Sequence, residues 1–237
     1  MKFFGPDIWQ GKEIIFPNDP NVIWVLDQKI SENSIQITRE ESIAHNLRSV
    51  ARAVFSCKQK DGLGVKHAIK IYMEIPWIDA EFTSAAARKA QADINRSEDM
   101  ASEIKALRKL TQNTAKHAPH LVAELHTKQG DDGIVPTGFI SYLLMTWCPG
   151  VPLGEGDYDY QTMPQAERKR IFKAFKEALE DTKRCGVVSK GGNPTLIWDA
   201  ENEKCYMVDF KWSGRPHYID VAERIWRRWG LQPGPPD

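Results

Sequence analysis

The sequence has little of what marks several familiar protein classes. Four cysteines lie far apart and form no Cys-x-x-Cys pair, so neither a structural zinc site nor a disulfide framework is indicated. The 32 Lys and Arg residues balance the 32 Asp and Glu residues, so no basic field exists that would hold nucleic acid or an anionic membrane. We therefore expect no nucleic-acid partner and no membrane partner.

Long apolar runs are also missing. Gly5-Pro6 interrupts the first residues, where a secretory signal would need an unbroken apolar stretch. No window approaches the roughly 18 apolar residues that a membrane-spanning helix requires. Together with the unpaired cysteines, these absences predict a cytoplasmic protein.

The first part of the chain has the pattern of a β-sheet. β-Branched and aromatic runs separated by turn residues predict strands over 13–16, 22–26, 34–38, 49–59 and 66–73. Asp61-Gly62 is a typical turn dipeptide and predicts that the last two strands form a hairpin. From about 79 to 112 the composition changes to Ala, Arg, Lys and Glu, which predicts the main helix of this region.

The second part predicts two more strands and then a smaller, largely helical region. Strand character returns at 121–127 and 138–148, and the Pro- and Gly-rich run 149–156 predicts a hinge. A helix over about 164–185, a β-hairpin ending in "CYMVDF" and a C-terminal helix over about 218–229 follow. We therefore expect an α+β protein with an N-lobe at 1–148 and a minimal C-lobe at 149–237.

Three short motifs occur in this order within that layout. "HAIKIY" contains Lys70 on a strand, "SEIKALRKL" contains Glu103 on a helix, and "CYMVDF" ends in Asp209. Their order and spacing resemble the protein-kinase-like bilobal fold, especially the small kinase-like proteins that are abundant in fungi. The resemblance implies a β-rich N-lobe with one main helix and a truncated helical C-lobe. It also implies that Lys70 binds phosphate, that Glu103 pairs with that lysine, and that Asp209 is the metal-binding aspartate.

The resemblance further implies a ligand site in the cleft between the lobes. Ala68 leaves room for an adenine ring, and the strand that ends at Met145 to Trp147 leads to the nucleotide hinge. Residues expected to line the cleft, some polar and some aromatic, are Ala68, Met145, Trp147, Lys190, Asn193, Trp198, Phe210, Lys211 and Trp212.

Several departures from the kinase pattern argue against phosphoryl transfer. No carboxylate lies between Gly186 and Asp199, where a catalytic loop would carry its general base. The hairpin before Lys70 has no Gly-x-Gly-x-x-Gly, and only a short tail follows Trp212, too short for an activation segment and a substrate platform. Lys211 follows Asp209-Phe210 and could pair with Asp209 in the space of a magnesium ion. No metal is therefore expected, and ATP with magnesium is disfavoured as the cofactor, whose identity stays unknown.

Three functions remain open at this point. The first is a kinase-fold protein that has lost phosphoryl transfer and binds a small molecule or a protein partner through the interlobe cleft. The second is an enzyme of another reaction type that acts on a small, largely apolar metabolite in the same cleft, with Asp209 or Glu103 as acid or base. The third is an atypical small-molecule phosphotransferase that uses Lys70, Glu103 and Asp209, with Asn193 as a second metal ligand. A protein kinase is not expected.

Overall fold

The computed structural model describes residues 2–62, 64–93, 97–153, 159–189, 196–214 and 231. The fold is α+β and divides into two compact units. The first unit contains Met1–Glu98 and Leu121–Trp147, and the second contains Asp99–His120 and Cys148–Asp237. Residues 99–120, which the sequence assigned to the N-lobe, therefore belong to the second unit. The predicted C-terminal helix over 218–229 lies outside the described residues.

The first unit is built on one antiparallel sheet. Its strands are β1 (Glu13–Phe16), β2 (Asp19–Ile35), β3 (Val50–Gln59), β4 (His67–Glu74), β5 (Leu121–Lys128) and β6 (Phe139–Thr146). Their order in the sheet is β1-β2-β3-β4-β6-β5. The outer strands β1 and β5 contact each other, so the sheet curls towards a barrel. The first unit also contains the short helices α1 (Pro6–Trp9), α2 (Arg39–His45) and α3 (Ala85–Lys89).

The two faces of this sheet differ in chemistry because side chains alternate along each strand. One face carries the apolar core, to which β4 contributes Ile69, Ile71 and Met73. The opposite face carries the side chains between them, including Lys70 and Tyr72. Neighbouring strands add residues to this second face, because Lys70 is paired with Val54 of β3 on one side and with Leu143 of β6 on the other.

Two of the predicted elements differ from the observed ones. The strand expected at 22–26 and the first two residues of the strand expected at 34–38 belong to the single long strand β2, because 31–34 pairs with β3 instead of turning. Residues 36–38 lie beyond its end. The pairing register of this strand shifts on either side of Lys29. The helix expected over about 79–112 is two helices, α3 and α4 (Glu98–Gln112), and α3 begins only after Ser84, whose hydroxyl accepts the Ala87 N–H. Residues 76–83 are held instead by bonds such as Ile78 N–H to the Ile37 carbonyl.

In the part of the second unit that the structure describes, the elements are α4, the long helix α5 (Gln165–Arg184) and five short strands. These strands are β7 (Val151–Pro152), β8 (Val188–Ser189), β9 (Leu196–Asp199), β10 (Lys204–Met207) and β11 (Ser213–Gly214). They form a three-stranded sheet in the order β10-β9-β7 and a two-stranded sheet of β11 and β8. The predicted hairpin and α5 are both present: α5 agrees with the prediction within one residue at each end, and β10 ends at Met207, before the Asp209-Phe210 pair.

Helix α5 packs one apolar stripe into this unit. Ile171, Phe175 and Ala178 are fully buried, and Gly186 follows the helix with a φ of +75°, the left-handed conformation that favours glycine. Asp181 ties the helix to the chain after α4, because its carboxylate accepts the backbone N–H groups of Lys116 and His117. Within the described residues, every helix is too short or too polar to span a bilayer.

Candidate functional site

Asp209 and Lys211 form an ion pair at the end of β10. The chain leaves the strand, and Asp209 adopts a left-handed conformation with φ of 61° and ψ of 70° before a single 3-10 turn over Phe210–Trp212. That turn brings the Lys211 ammonium to 2.5 Å from Oδ2 of Asp209. The Lys211 side chain is 17% exposed and the Asp209 side chain is 22% exposed, so the pair is only partly hydrated. The same ammonium lies 5.0 Å from the centre of the Trp212 ring, which is half exposed.

Glu103 supports this turn from α4. Its side chain is 1% exposed, and Oε1 accepts the backbone N–H of Phe210 at 3.2 Å. One residue earlier, the Ser102 hydroxyl lies 3.5 Å from the Ser213 carbonyl oxygen and 3.4 Å from its hydroxyl. Helix α4 is thus bonded to both ends of the turn that carries Lys211. Glu103, Asp209, Phe210, Lys211 and Trp212 therefore lie together in the second unit.

Lys70 and Ala68 lie on the first unit. Both side chains are buried and point to the face of β4 opposite Ile69 and Ile71. The Lys70 ammonium lies 5.3 Å from the centre of the Tyr72 ring, two residues along the same face. This is the strand geometry that the sequence predicts for a small residue and a lysine two positions apart.

The predicted hinge strand is β6. Met145 lies opposite Ala68 in the sheet and is buried. Trp147 follows the end of β6, and the ammonium of Lys66 lies 3.8 Å from its ring centre. A cation therefore covers one face of this indole.

The remaining aromatic candidate, Trp198, is part of the core of the second unit. It is 2% exposed on β9, and its Nε1–H donates to Oε1 of Glu167 on α5 at 2.6 Å. Gly150 lies close to the backbone of Trp198. A Cβ at Gly150 would lie only 2.2 Å from the Trp198 carbonyl oxygen. Lys190 and Asn193, which were predicted to lie near the site, are outside the described residues.

Sequence reasoning missed a hydrogen-bonded group on the first unit. His126 lies between Glu124 and Ser141, with Nε2 2.8 Å from the glutamate Oε2 and Nδ1 2.9 Å from the serine Oγ. Cross-strand pairing of His126 with Ser141 brings these residue types together, a juxtaposition that spacing along one strand does not reveal. Serine, histidine and a carboxylate are also the three residue types of a Ser-His-acid catalytic triad. Ser141, however, is 1% exposed in the middle of β6, so the bonds orient the imidazole and do not present a nucleophile.

The cysteines offer no reactive thiol. All four are buried, and burial raises the pKa of Cys57, Cys148 and Cys205 to about 12. Because the thiolate is the nucleophile and the metal ligand, these groups stay protonated near neutral pH. In the part of the chain that the structure describes, no three His, Cys, Asp or Glu side chains cluster in a way that could hold a metal ion.

No protein-family model matches the chain, and a search of curated proteins finds no significant match.

Proposed function

We propose that this protein is a kinase-like protein that has lost phosphoryl transfer and binds a small molecule or a protein partner. The observation that carries the proposal is the contact between the Lys211 ammonium and the Asp209 carboxylate. If the chain has a kinase-like fold, Asp209 is the residue that would hold magnesium. A lysine bonded to that carboxylate supplies one fixed positive charge where the reaction needs a divalent cation.

The residues at this corner do not fit a magnesium ion. Magnesium takes six oxygen ligands at about 2.0–2.1 Å, and a neighbouring ammonium repels it. With Lys211 at 2.5 Å, one oxygen of Asp209 is already engaged by a cation. Magnesium binding would require Lys211 to leave, so no step of a phosphoryl transfer is assigned to this corner.

The missing general base supports the same proposal. The sequence has no carboxylate from 187 to 198, the stretch that corresponds to the catalytic loop. A positioned general base typically contributes about 10²–10⁴-fold to a rate. Loss of both the base and the metal site removes the two main contributions that such a site makes to the reaction.

The backbone at Asp209 supports a retained binding role for the corner. A non-glycine residue at φ of 61° is uncommon, and such conformations concentrate at functional sites. Buried Glu103 holds the adjoining turn, and Trp212 beside it is half exposed. An ordered charge pair next to an accessible indole is suited to contacts with a ligand that has polar and aromatic groups.

Equilibrium binding of Mg-ATP to three proteins tests the proposal. The unmodified protein and Lys211→Arg, which keeps the cation, should show no binding at millimolar Mg-ATP. The double variant Lys211→Gly, Gly191→Asp removes the ammonium and restores a carboxylate to the loop, and it should gain measurable binding. Tight binding by the unmodified protein would favour the phosphotransferase alternative. Failure of the double variant, if folded, to gain binding would show that Lys211 is not the obstacle.

A further inference from the structure

Glu74, the last residue of β4, is a buried carboxyl group that joins three segments of the first unit. Its side chain accepts the backbone N–H of Asp93 at 3.0 Å and that of Phe139 at 3.3 Å, both to Oε2. Its own carbonyl oxygen accepts a bond from Nε2 of buried Gln129 at 2.8 Å. Glu74 is 3% exposed, so these bonds are made out of contact with bulk water.

The surrounding backbone encloses this carboxyl group closely. A Cβ at Gly138 would lie 2.5 Å from Oε2 of Glu74, closer than real Cβ contacts come. A side chain at position 138 would therefore displace the carboxyl group. The glycine allows the chain before β6 to pass directly over Glu74.

The segment that Glu74 holds is the connection 75–93, which follows β4 and contains α3. Its other bonds include Trp77 N–H to Oε1 of Gln91 at 2.9 Å and Nε–H of Arg88 to the Ile134 carbonyl at 2.7 Å. Asp93, at the end of the connection, also pairs with Arg48. Among these contacts, the carboxyl group of Glu74 is the most deeply buried ionisable group.

Two charged groups act on this carboxyl. Burial is the largest influence and raises its pKa, the Asp93 carboxylate raises it further, and the Arg48 guanidinium and the two backbone N–H bonds lower it. The net result is a pKa of about 7, above the ordinary value of 4.5. The Glu74 carboxyl group therefore gains or loses its proton near neutral pH.

We propose that Glu74 is a proton-dependent clamp that holds the connection 75–93 on the sheet and loosens its hold when it ionises. The protonated carboxyl still accepts an N–H bond through its carbonyl oxygen and carries no buried charge. The ionised carboxyl is a buried anion beside Asp93, and opening of the connection lets it hydrate. The connection leads along the chain from the strand of Lys70 to the helix of Glu103. The clamp does not depend on the proposed function.

The direction of the effect follows from linkage. A carboxyl whose pKa is raised in the closed state binds protons more tightly when closed than when open. The closed state is therefore fully favoured below the ordinary pKa and loses this advantage as the pH rises towards about 7. Above that pH both states are ionised, and the opening equilibrium becomes constant.

Hydrogen exchange of the Trp77, Asp93 and Phe139 amides between pH 5 and 8.5, corrected for intrinsic exchange rates, tests the clamp. The opening constant of the unmodified protein should rise by up to about tenfold per pH unit between pH 5 and 7 and then level off. Glu74→Gln replaces the carboxyl by a neutral group of the same shape and should make the constant independent of pH. Glu81→Gln is the matched control, because Glu81 lies on the same connection and bonds Gln36, and it should keep the rise.

A second variant keeps the test decisive if Glu74→Gln does not fold. Asp93→Asn retains the backbone N–H that Glu74 accepts and removes the neighbouring negative charge. It should move the levelling-off point to lower pH. A flat pH dependence in the unmodified protein, or the same rise in Glu74→Gln, would overturn the proposal.

Discussion

The buried carboxylate of Glu103 accepts a hydrogen bond from the backbone N–H of Phe210, a residue 107 positions further along the chain. This bond fixes the turn that brings Lys211 to Asp209. The kinase-like resemblance predicted that Glu103 pairs with Lys70, and that pairing stays a prediction. The bond to Phe210 gives Glu103 a structural role that does not require a nucleotide.

We expect Glu103→Ala to lower the free energy of unfolding by about 1–3 kcal/mol, because it leaves the buried Phe210 N–H without its acceptor. Glu103→Gln keeps an acceptor oxygen and should cost less. Urea unfolding of the three proteins measures the difference. Equal losses in the two variants would show that the bond to Phe210 contributes nothing.

The sequence predicted those elements whose side-chain pattern is strong within the element itself. The strand around Lys70 and helix α5 agree with the prediction because their buried residues recur at the spacing of a strand and of a helix. The long strand β2 was missed because Ser31 to Ser34 are turn-forming residues that nonetheless pair with β3. Local propensity could not show this, since the partner strand lies about twenty residues away.

The site was predictable to a similar degree. The carboxylate after β10 and the lysine beside it were identified from sequence, because Asp209 and Lys211 are only two positions apart. The bonds of buried Glu74 and the His126 group were missed because each joins residues that are distant along the chain. Trp198 was expected to line a ligand site, and that stays a prediction; in the structure its indole is buried and donates to Glu167.

Gly150 should be one of the least replaceable residues of the second unit. Its φ is +110°, and a Cβ there would lie 2.2 Å from the Trp198 carbonyl oxygen. We expect Gly150→Ala to destabilise the protein by more than about 2 kcal/mol, through backbone strain and this collision. Gly5→Ala is the matched control, since no atom lies within 4 Å of its added Cβ. Thermal unfolding that shifts equally in both variants would contradict the geometry around Trp198.

Asp181 should stabilise the protein in a pH-dependent way. Burial raises the pKa of its carboxyl, but hydrogen bonds from Arg184 and from the Lys116 and His117 N–H groups outweigh it and lower the pKa below its ordinary value. The stabilisation is therefore present above the ordinary pKa and is lost as the pH falls through the lowered one.

We expect Asp181→Ala to cost about 2 kcal/mol at pH 7, because two backbone N–H groups lose their acceptor. The difference from the unmodified protein should shrink as the pH falls below 4. Glu180→Ala, on the exposed side of the same helix, should change stability by less than about 0.5 kcal/mol. Urea unfolding at several pH values provides the comparison, and a difference that stays constant down to pH 2 would exclude the hydrogen bonds of Asp181 as its source.

The most direct test of the central claim is thermal unfolding of the unmodified protein with and without millimolar Mg-ATP. If the Lys211 ammonium occupies the position of the metal on Asp209, the two unfolding curves should coincide. A ligand present at 100 times its dissociation constant would instead stabilise the folded state by about 2.7 kcal/mol. A shift of that size with Mg-ATP, and none with ATP and EDTA, would contradict the account, because it would show that Lys211 yields its place to the metal–nucleotide complex.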